Sequence, residues 1–350
     1  MNLDKRIYSL VQWGKSLEKV LRSLQGETVQ LNAQEEKMVA AAHISKSYNA
    51  WFTMPSVILA TEGVCSFLKE ESLVAFVNLY KKEIQEIKSS KRVLLIMAGN
   101  IPMVGFHDLL CTLLCGHTAV VKSSSDDNHL LPALCDVLKA IEPEFSNFIE
   151  FIERPQKNFE AVIATGSDNS ARYFDYYFGK YPHIIRKNRI SLAVLNGKET
   201  DDELRELSKD VFQYYGLGCR NVAKVYVPQG YQFRQMIEAF QVQLPYLENN
   251  KYQNNLEYQK AVMLLNKDPF IDAGFFFMKE NTSPFSSVSV LHYQQYQNID
   301  EVKESIAQIK DKVQCVVGSI EGALPFGQAQ CPMLNDYADG VDTIKFLVSL

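Results

Sequence analysis

A chain of 350 residues is long enough for about two domains, each with its own core. Its apolar fraction of 47% and charged fraction of 22% are those of an ordinary soluble protein. A formal net charge of −5, without a long basic run, argues against nucleic-acid binding. Seven cysteines without paired spacing argue against a disulfide framework. No signal-peptide pattern and no apolar stretch of about 18 residues occurs, so we expect a cytoplasmic protein without a membrane span.

The first 90 residues predict charged, amphipathic helices. Apolar side chains recur at helical spacing between residues 8 and 21, and residues 72–87 repeat that pattern. Trp51, Phe52 and Pro55 interrupt the pattern. We expect this helical region, residues 1–90, to pack on the domain that follows it.

Short apolar runs alternate with helical segments from residue 91 onward. The predicted strands cover residues 93–98, 118–122 and 161–164, and the predicted helices cover 107–115, 128–141 and 170–178. This alternation predicts a doubly wound parallel sheet. Ligands of such sheets bind at the carboxyl ends of the strands, where Asn100, Lys122 and the sequence Thr165, Gly166, Ser167 stand.

Each of these residues also has a purely structural interpretation. Asn100 can cap the helix that follows it, and Lys122 can be a solvated charge at a strand end. The Thr165-Gly166-Ser167 turn can bind a phosphate through helix N-terminal amides, or it can be a plain strand-to-helix turn. No Gly-rich dinucleotide fingerprint is present to decide between these interpretations.

A cysteine follows two glycines in residues 215–222, which read Tyr-Gly-Leu-Gly-Cys-Arg-Asn-Val. A predicted helix over 201–215 precedes it, and a strand-like run over 223–228 follows. Small neighbours let a substrate carbonyl reach the sulfur of Cys219 and let a backbone N–H face the developing oxyanion. The alternative is a glycine helix stop followed by a core cysteine.

Five short motifs occur in the order of the aldehyde dehydrogenase superfamily, and the chain most resembles its acyl-CoA reductase branch. That branch includes the fatty-acid reductase component of bacterial bioluminescence. The motifs are residues 99–102 (Gly-Asn-Ile-Pro), 120–123 (Val-Val-Lys-Ser), 164–167 (Ala-Thr-Gly-Ser), 218–219 (Gly-Cys) and 325–327 (Pro-Phe-Gly). The resemblance implies an aldehyde dehydrogenase-like α/β fold, with a doubly wound parallel nucleotide-binding sheet and a second α/β catalytic domain.

The resemblance also implies a role for each motif. Cys219 is the nucleophile, and the side-chain amide of Asn100 helps to form the oxyanion hole together with the Cys219 backbone N–H. A lysine at the position of Lys122 binds the adenosine ribose of the cofactor, and the Thr-Gly-Ser turn lies beside the nicotinamide half. The predicted cofactor-binding residues are Lys122, Ser123, Ser125, Thr165, Gly166 and Ser167.

Four segments follow from this assignment. Residues 1–90 form the N-terminal helical region, and residues 91–196 form the dinucleotide-binding domain. Residues 197–322 form the catalytic cysteine domain, and residues 323–350 form a C-terminal return segment. Because residues 342–348 read as an edge strand that completes a neighbour's sheet in this superfamily, the resemblance implies a homodimer.

Two departures from the superfamily pattern concern acidic residues. Hydrolytic members carry a glutamate general base in a Leu-Glu-Leu-Gly-Gly motif, where this chain reads Leu-Ala-Val-Leu-Asn-Gly over residues 192–197. A second glutamate, which holds the nicotinamide ribose, precedes a Phe-Gly-Pro motif, and here Ser283 takes its place. Oxidation of an aldehyde to a free acid is therefore not expected.

An acyl group on Cys219 that meets no hydrolytic base can accept a hydride instead of water. The resemblance thus implies NADPH-dependent reduction of a fatty acyl-CoA to an aldehyde through a covalent acyl-cysteine. Ser123 and Ser125 after Lys122 leave room for a 2′-phosphate, whereas Asp126 and Asp127 keep NADH open. The alternatives are a reductase of acyl-carrier-protein or acyl-phosphate substrates, and a catalytically silent acyl-CoA-binding relative. A partner enzyme that supplies or receives acyl groups is a further expectation, and no metal site is predicted.

Overall fold

The computed structural model describes residues 1–155, 158–166 and 168–350. The chain divides into two compact units, one formed by residues 1–187 and 333–350 and the other by residues 188–332. Each unit contains a largely parallel sheet with helices, so the predicted α/β class is confirmed.

The first unit combines a helical N-terminal region with a five-stranded parallel sheet. Its helices are α1 (Leu3–Leu24), α2 (Ala33–Tyr48), α3 (Met54–Phe67), α4 (Glu70–Asn78), α5 (Lys81–Gln85), α6 (Phe106–Cys115), α7 (Leu130–Ile141) and α8 (Asp168–Phe178). Its strands are β1 (Arg92–Ile96), β2 (Thr118–Lys122), β3 (Ile149–Phe151), β4 (Ala161–Thr165) and β5 (His183–Arg186).

Two of the N-terminal helices, α1 and α2, begin at capping residues, and both pack on α7 beside the sheet. The Asn2 side chain accepts a hydrogen bond from Lys5 N at 2.8 Å at the start of α1, and Asn32 with Glu35 forms a capping box on α2. The buried indole of Trp13 in α1 donates to the carbonyl oxygen of Leu134 in α7 at 3.0 Å. This bond satisfies the one polar atom of a fully buried side chain.

The sheet of the first unit has the strand order β3-β2-β1-β4-β5. From β1 the chain adds β2 and β3 on one side of the sheet, and then crosses to the other side to add β4 and β5. The direction in which strands are added therefore reverses between β1 and β4. The register pairs Ile96 with both Lys122 and Ala164. The loops after β1, β2 and β4 therefore meet at one carboxyl edge, at the position where doubly wound sheets bind ligands.

The C-terminal residues form a helix, α14 (Thr343–Val348), and not the predicted edge strand. Asp342 caps this helix by accepting from Lys345 N at 2.9 Å, and Thr343, Ile344 and Leu347 form its buried face against α6. The β-branched and aromatic residues of this segment favoured a strand, but their burial follows helical spacing. The strand prediction is wrong, and with it the basis for a dimer through that strand.

The second unit contains a six-stranded sheet in the order β11-β6-β7-β10-β9-β8. All neighbours are parallel except β8 and β9. Its strands are β6 (Ile190–Val194), β7 (Val222–Pro228), β8 (Ile271–Asp272), β9 (Phe277–Glu280), β10 (Val290–Tyr296) and β11 (Val313–Gly318). Its helices are α9 (Asp201–Phe212), α10 (Arg234–Phe240), α11 (Leu244–Leu247), α12 (Asn250–Asn266) and α13 (Ile299–Gln308).

The boundaries of the two units differ from the boundaries predicted from the sequence. The predicted boundary after residue 196 placed β6 in the first domain, whereas β6 pairs with β7 and β11 in the second unit. The return segment is also divided, because the chain re-enters the first unit at Met333. A fully buried apolar run looks the same in either sheet, so its composition does not say which neighbours it pairs with.

Candidate active site

Cys219 lies in a tight turn between α9 and β7. The backbone N–H of Asn221 donates to the Gly218 carbonyl oxygen at 3.0 Å and closes the turn around Cys219 and Arg220. The Cys219 side chain is exposed, in contrast to the buried Cys65, Cys111, Cys115 and Cys135. The turn thus presents a thiol at the surface of the second unit.

The backbone reaches this turn through three consecutive residues in the left-handed region. Tyr214, Tyr215 and Gly216 have φ angles of 51°, 58° and 77°. Only glycine adopts this conformation without cost, so the two tyrosines need compensating contacts. Tyr215 is buried and stacks on Tyr246 with ring centroids 4.7 Å apart, while the Tyr246 hydroxyl accepts from Tyr214 N at 2.8 Å.

The side chain of Asn221 holds the turn from inside. It is 3% exposed. Its oxygen accepts from Gly218 N at 2.8 Å, and its amide group donates to the carbonyl oxygens of Gln213 at 2.8 Å and Asp210 at 3.1 Å. One buried amide therefore fixes the end of α9 and the start of the cysteine turn together. Asn221 is part of the cysteine motif in the sequence, but its supporting role is visible only in the folded chain.

Asp210 connects the cysteine turn to the late Pro-Phe-Gly motif at residues 325–327. Its buried carboxylate accepts from Gly327 N at 2.7 Å and from Ala329 N at 2.9 Å. Arg220, next to the cysteine, donates to the Ala329 carbonyl oxygen at 3.2 Å. Burial raises the pKa of Asp210 to about 6, although the two backbone N–H groups act in the opposite direction.

Ser191, on β6, supports the cysteine turn from the sheet. Its hydroxyl donates to the Cys219 carbonyl oxygen at 3.1 Å and lies 3.0 Å from the Cys315 sulfur. Because Ser191 is buried, this contact fixes the backbone of the nucleophile candidate and leaves its side chain exposed.

A buried carboxylate stands close to the segment that lacks the superfamily's general base. Glu199 follows residues 192–197 and was not singled out from the sequence. Its two oxygens accept from Asn196 N at 2.5 Å and Gly197 N at 3.1 Å. Both oxygens are thus engaged by the turn that Glu199 itself closes, which favours a structural role over activation of water.

The segment around Ser283 is organised by a buried lysine. The Lys224 ammonium donates to the Thr282 carbonyl oxygen at 2.8 Å and to the Gln294 side chain at 2.7 Å. Burial lowers the pKa of Lys224 to about 8. The Ser283 hydroxyl donates to the Phe285 carbonyl oxygen at 3.2 Å, a bond within its own loop.

Asn100 lies at the carboxyl edge of the first unit, in the turn after β1. Its side chain is exposed. The preceding Gly99 lies against the loop after β2, because a Cβ at Gly99 would stand 2.5 Å from the Ser124 hydroxyl and 2.8 Å from the Asp126 Cβ. The close approach that this glycine permits brings the Asn100 turn beside residues 123–125, as the strand order requires.

The loop after β2 carries three of the predicted cofactor residues. Lys122 is half-buried at the strand end, and Ser125 is exposed. The Ser123 hydroxyl is buried and has no hydrogen-bond partner among the residues that the structure describes. Asp127 points inward and accepts from Met103 N at 2.7 Å, and burial raises its pKa to about 6.

The third part of this edge follows β4. Thr165 is the last residue of β4, and Gly166 leads toward α8. A Cβ at Gly166 would stand 2.8 Å from the Ser170 Cβ and 3.0 Å from the Phe174 ring, so the helix packs closely on the turn. Ser167, also predicted to bind the cofactor, lies outside the described residues.

The sequence matches one protein family over more than half of its length. The match covers residues 68–276, and the family is described as acyl-CoA reductase (LuxC). The chain belongs to the LuxC family of acyl-CoA reductases. This LuxC-family protein is therefore an aldehyde-related oxidoreductase, and the resemblance to acyl-CoA reductases found in the sequence is confirmed. No curated protein sequence matches the chain significantly.

Solved structures similar to this LuxC-family protein include aldehyde dehydrogenases. A putative aldehyde dehydrogenase PutA from Anabaena variabilis has a TM-score of 0.62 at 12% identity, covering 93% of this chain and 75% of that one. Aldehyde dehydrogenase 21 from Physcomitrella patens has a TM-score of 0.60 at 12% identity, covering 99% and 88%. The Δ-pyrroline-5-carboxylate dehydrogenase from Mycobacterium tuberculosis has a TM-score of 0.61 at 14% identity, covering 99% and 77%.

These structural matches establish the aldehyde dehydrogenase fold. Together, family and fold support a nicotinamide cofactor without distinguishing NADPH from NADH. In the described part of the chain, no helix is long and apolar enough to span a bilayer.

Proposed function

We propose that this protein reduces a fatty acyl-CoA to the corresponding aldehyde with NADPH, through an acyl group carried on Cys219. The observation that carries the proposal is the exposed thiol on a turn held by Asn221, Ser191 and Asp210, in a member of an acyl-CoA reductase family. Catalytic cysteines lie in such accessible, rigidly supported positions, whereas structural cysteines are buried.

The first step forms the acyl-enzyme. The Cys219 thiolate attacks the thioester carbonyl, the carbon–sulfur bond to CoA breaks, and CoA leaves as a thiolate that takes up a proton. Because one thioester replaces another, the step is nearly balanced in free energy, and the protein mainly aligns the groups. We assign the Cys219 backbone N–H and the Asn100 side-chain amide as donors to the oxyanion.

The second step reduces the acyl-enzyme. The carboxyl edge of the first unit suits a polar ligand, because Lys122 ends β2 there and the neighbouring Ser123 hydroxyl is buried without a partner among the described residues. A nicotinamide cofactor held at this edge would supply the hydride that reduces the acyl carbon. The resulting thiohemiacetal on Cys219 then expels the aldehyde and regenerates the thiol, with one proton taken up overall.

NADPH is assigned over NADH from the loop after β2. Lys122, Ser123 and Ser125 offer a cation and two hydroxyls to a 2′-phosphate. The inward orientation of Asp127 removes one of the two acids that would repel it, and Asp126 remains exposed. The side chains of this loop thus favour a phosphate-bearing cofactor.

Steady-state oxidation of NADPH in the presence of an acyl-CoA series tests this function. The wild type should release aldehyde and CoA in equal amounts, and Cys219→Ala should abolish both. Asn100→Ala should lower kcat by about 100-fold or more, the usual cost of losing an oxyanion donor. Release of free acid instead of aldehyde, or turnover that survives in Cys219→Ala, would contradict the proposal. Activity with an acyl-carrier-protein or an acyl phosphate, but not with acyl-CoA, would show that one of these acyl donors is the substrate.

A further inference from the structure

Arg6, near the start of α1, is buried without a partner. Its side chain is 8% exposed, and it makes no hydrogen bond or ion pair with any residue that the structure describes. An arginine keeps its charge inside proteins, so it does not escape burial by losing a proton. Burying a charge without a counter-charge is costly, and such groups are normally paired.

The Arg6 guanidinium occupies space that is open because the neighbouring residue is a glycine. Gly116, which ends α6, has a φ of 76°, and a Cβ there would stand 1.7 Å from Arg6 Nη1. Any other residue at this position would displace the guanidinium. The negative end of the α6 dipole offsets part of the charge, but the buried Nε of Arg6 still has no hydrogen-bond acceptor among the described residues.

Arg6 lines a cavity of about 450 Å³ in the first unit. Lys88 and Ser89 stand at its exposed side, and Asp4 contributes the one acid of the α1 segment that lines it. Its volume lies in the range of pockets that hold small organic ligands and exceeds what a bare phosphate needs. The remaining polar lining residues are Asn2, Gln85 and Ser90.

The cavity lies at the amino edge of the parallel sheet. Lys88 to Ser90 precede β1, Gly116 precedes β2, and Phe148 precedes β3. The residues assigned to the cofactor follow these strands at the carboxyl edge. A strand of five residues separates the two edges by on the order of 15 Å. The cavity is therefore a separate site.

We propose that this cavity binds an oxyanion, a phosphate or carboxylate group of a small organic molecule, with Arg6 as its buried anchor and Lys88 at its mouth. The planar guanidinium pairs with either group through two parallel hydrogen bonds. The negative charge of the ligand would balance the positive charge of the buried Arg6 guanidinium. The proposal does not depend on the proposed reaction.

Titration calorimetry of the full chain at constant ionic strength tests this site, with inorganic phosphate and acetate as probes and chloride as the reference. We expect saturable binding of one probe ion per chain, weakened about tenfold or more in Arg6→Gln, since charge-assisted hydrogen bonds are worth about 1.5–3 kcal/mol. Lys88→Gln should weaken it about threefold, as an exposed charge contributes less. Which ion binds more tightly identifies the group.

Lys122→Gln is the matched control, because a phosphate bound at the cofactor edge would be lost in that variant and kept in Arg6→Gln. That outcome would overturn the proposal. So would the absence of saturable binding for both ions, or unchanged affinity in Lys88→Gln and Arg6→Gln. If Arg6→Gln does not fold, Lys88→Gln and the control Lys122→Gln decide between the two edges.

Discussion

At the scale of single residues, exposure separates Cys219 from most of the other cysteines. Burial raises the pKa of Cys65 and Cys135 to about 12, so these thiols stay protonated at neutral pH. Cys331 is the useful comparison, because it is also exposed. Partial burial of the Cys331 thiol raises its pKa above the usual value of a cysteine.

Alkylation with iodoacetamide should therefore modify Cys219 first. Peptide mapping over time should show labelling of Cys219 well before Cys331, and labelling of Cys65 and Cys135 only after unfolding. The Cys331→Ser variant should leave the fast phase unchanged. Equal rates for Cys219 and Cys331 would indicate an ordinary surface thiol and favour a catalytically silent protein.

Asn221 is a positioning residue, because it acts through the turn that carries Cys219. Asn221→Ala removes four side-chain hydrogen bonds and leaves buried partners unsatisfied, so we expect a loss of about 2–3 kcal/mol in the free energy of unfolding. In the folded fraction kcat should fall more than KM changes. Asn254→Ala, at an exposed position in α12, is the control and should alter neither. A stable variant with unchanged kcat would refute this role.

At the scale of elements, Asp210 links α9 to the Pro-Phe-Gly turn, and its raised pKa predicts a pH dependence. A carboxyl group with a pKa of about 6 in the folded chain and an ordinary value in the unfolded chain binds more protons when folded. Its contribution to stability is then fully present below the unfolded pKa and is lost as the pH rises toward 6.

Urea unfolding of the wild type and Asp210→Asn between pH 4 and pH 7 measures this contribution. The wild type should lose on the order of 1–3 kcal/mol relative to the variant as the pH rises. The variant cannot titrate, and its amide can accept only one of the two N–H groups. Parallel stability profiles would show that Asp210 is ionised throughout and that the inferred effect of burial is absent.

The C-terminal segment is held by hydrogen bonds from Arg186, an arginine that also forms a buried ion pair. Arg186, at the end of β5, contacts Asp108 at 2.6 Å and also donates to Thr343 Oγ1 at 2.9 Å and the Ala338 carbonyl oxygen at 2.5 Å. Arg186 is 3% exposed. Removal of its partner would leave a buried charge unpaired.

Asp108→Ala should therefore cost about 3–5 kcal/mol of stability and speed hydrogen exchange in residues 333–350. The exposed pair of Asp202 with Arg205 provides the control, and Asp202→Ala should cost no more than about 1 kcal/mol. Equal losses in the two variants would contradict the assigned role of the buried pair.

At the scale of the whole molecule, the fold could be predicted further than the site. Continuous apolar runs such as residues 93–98 and 118–122 identify buried parallel strands, because both faces of each strand are covered. The helix at 343–348 was missed because Thr343, Ile344 and Val348 favour strands locally, while their burial is set by contacts with α6. The unit boundary was missed for a related reason, since pairing partners are not encoded within one strand.

Short sequence motifs predicted the exposed residues of the candidate site. They did not predict the buried residues that hold these in place. Cys219 and Asn100 stand beside glycines in recognisable turns. Asp210, Glu199 and Arg6 look like ordinary surface charges in sequence, because only the folded chain shows that they are buried. Buried polar residues depend on distant partners, so local pattern does not reveal them.

Intact-protein mass spectrometry after addition of acyl-CoAs of different chain length, without cofactor, detects the acyl-enzyme on Cys219 itself. We expect one acyl group per chain in the wild type, no adduct in Cys219→Ala, and an unchanged adduct in Cys331→Ser. The chain length that acylates fastest would identify the substrate range. Absence of any adduct on the wild type, or an adduct that persists in Cys219→Ala, would contradict acyl transfer to Cys219.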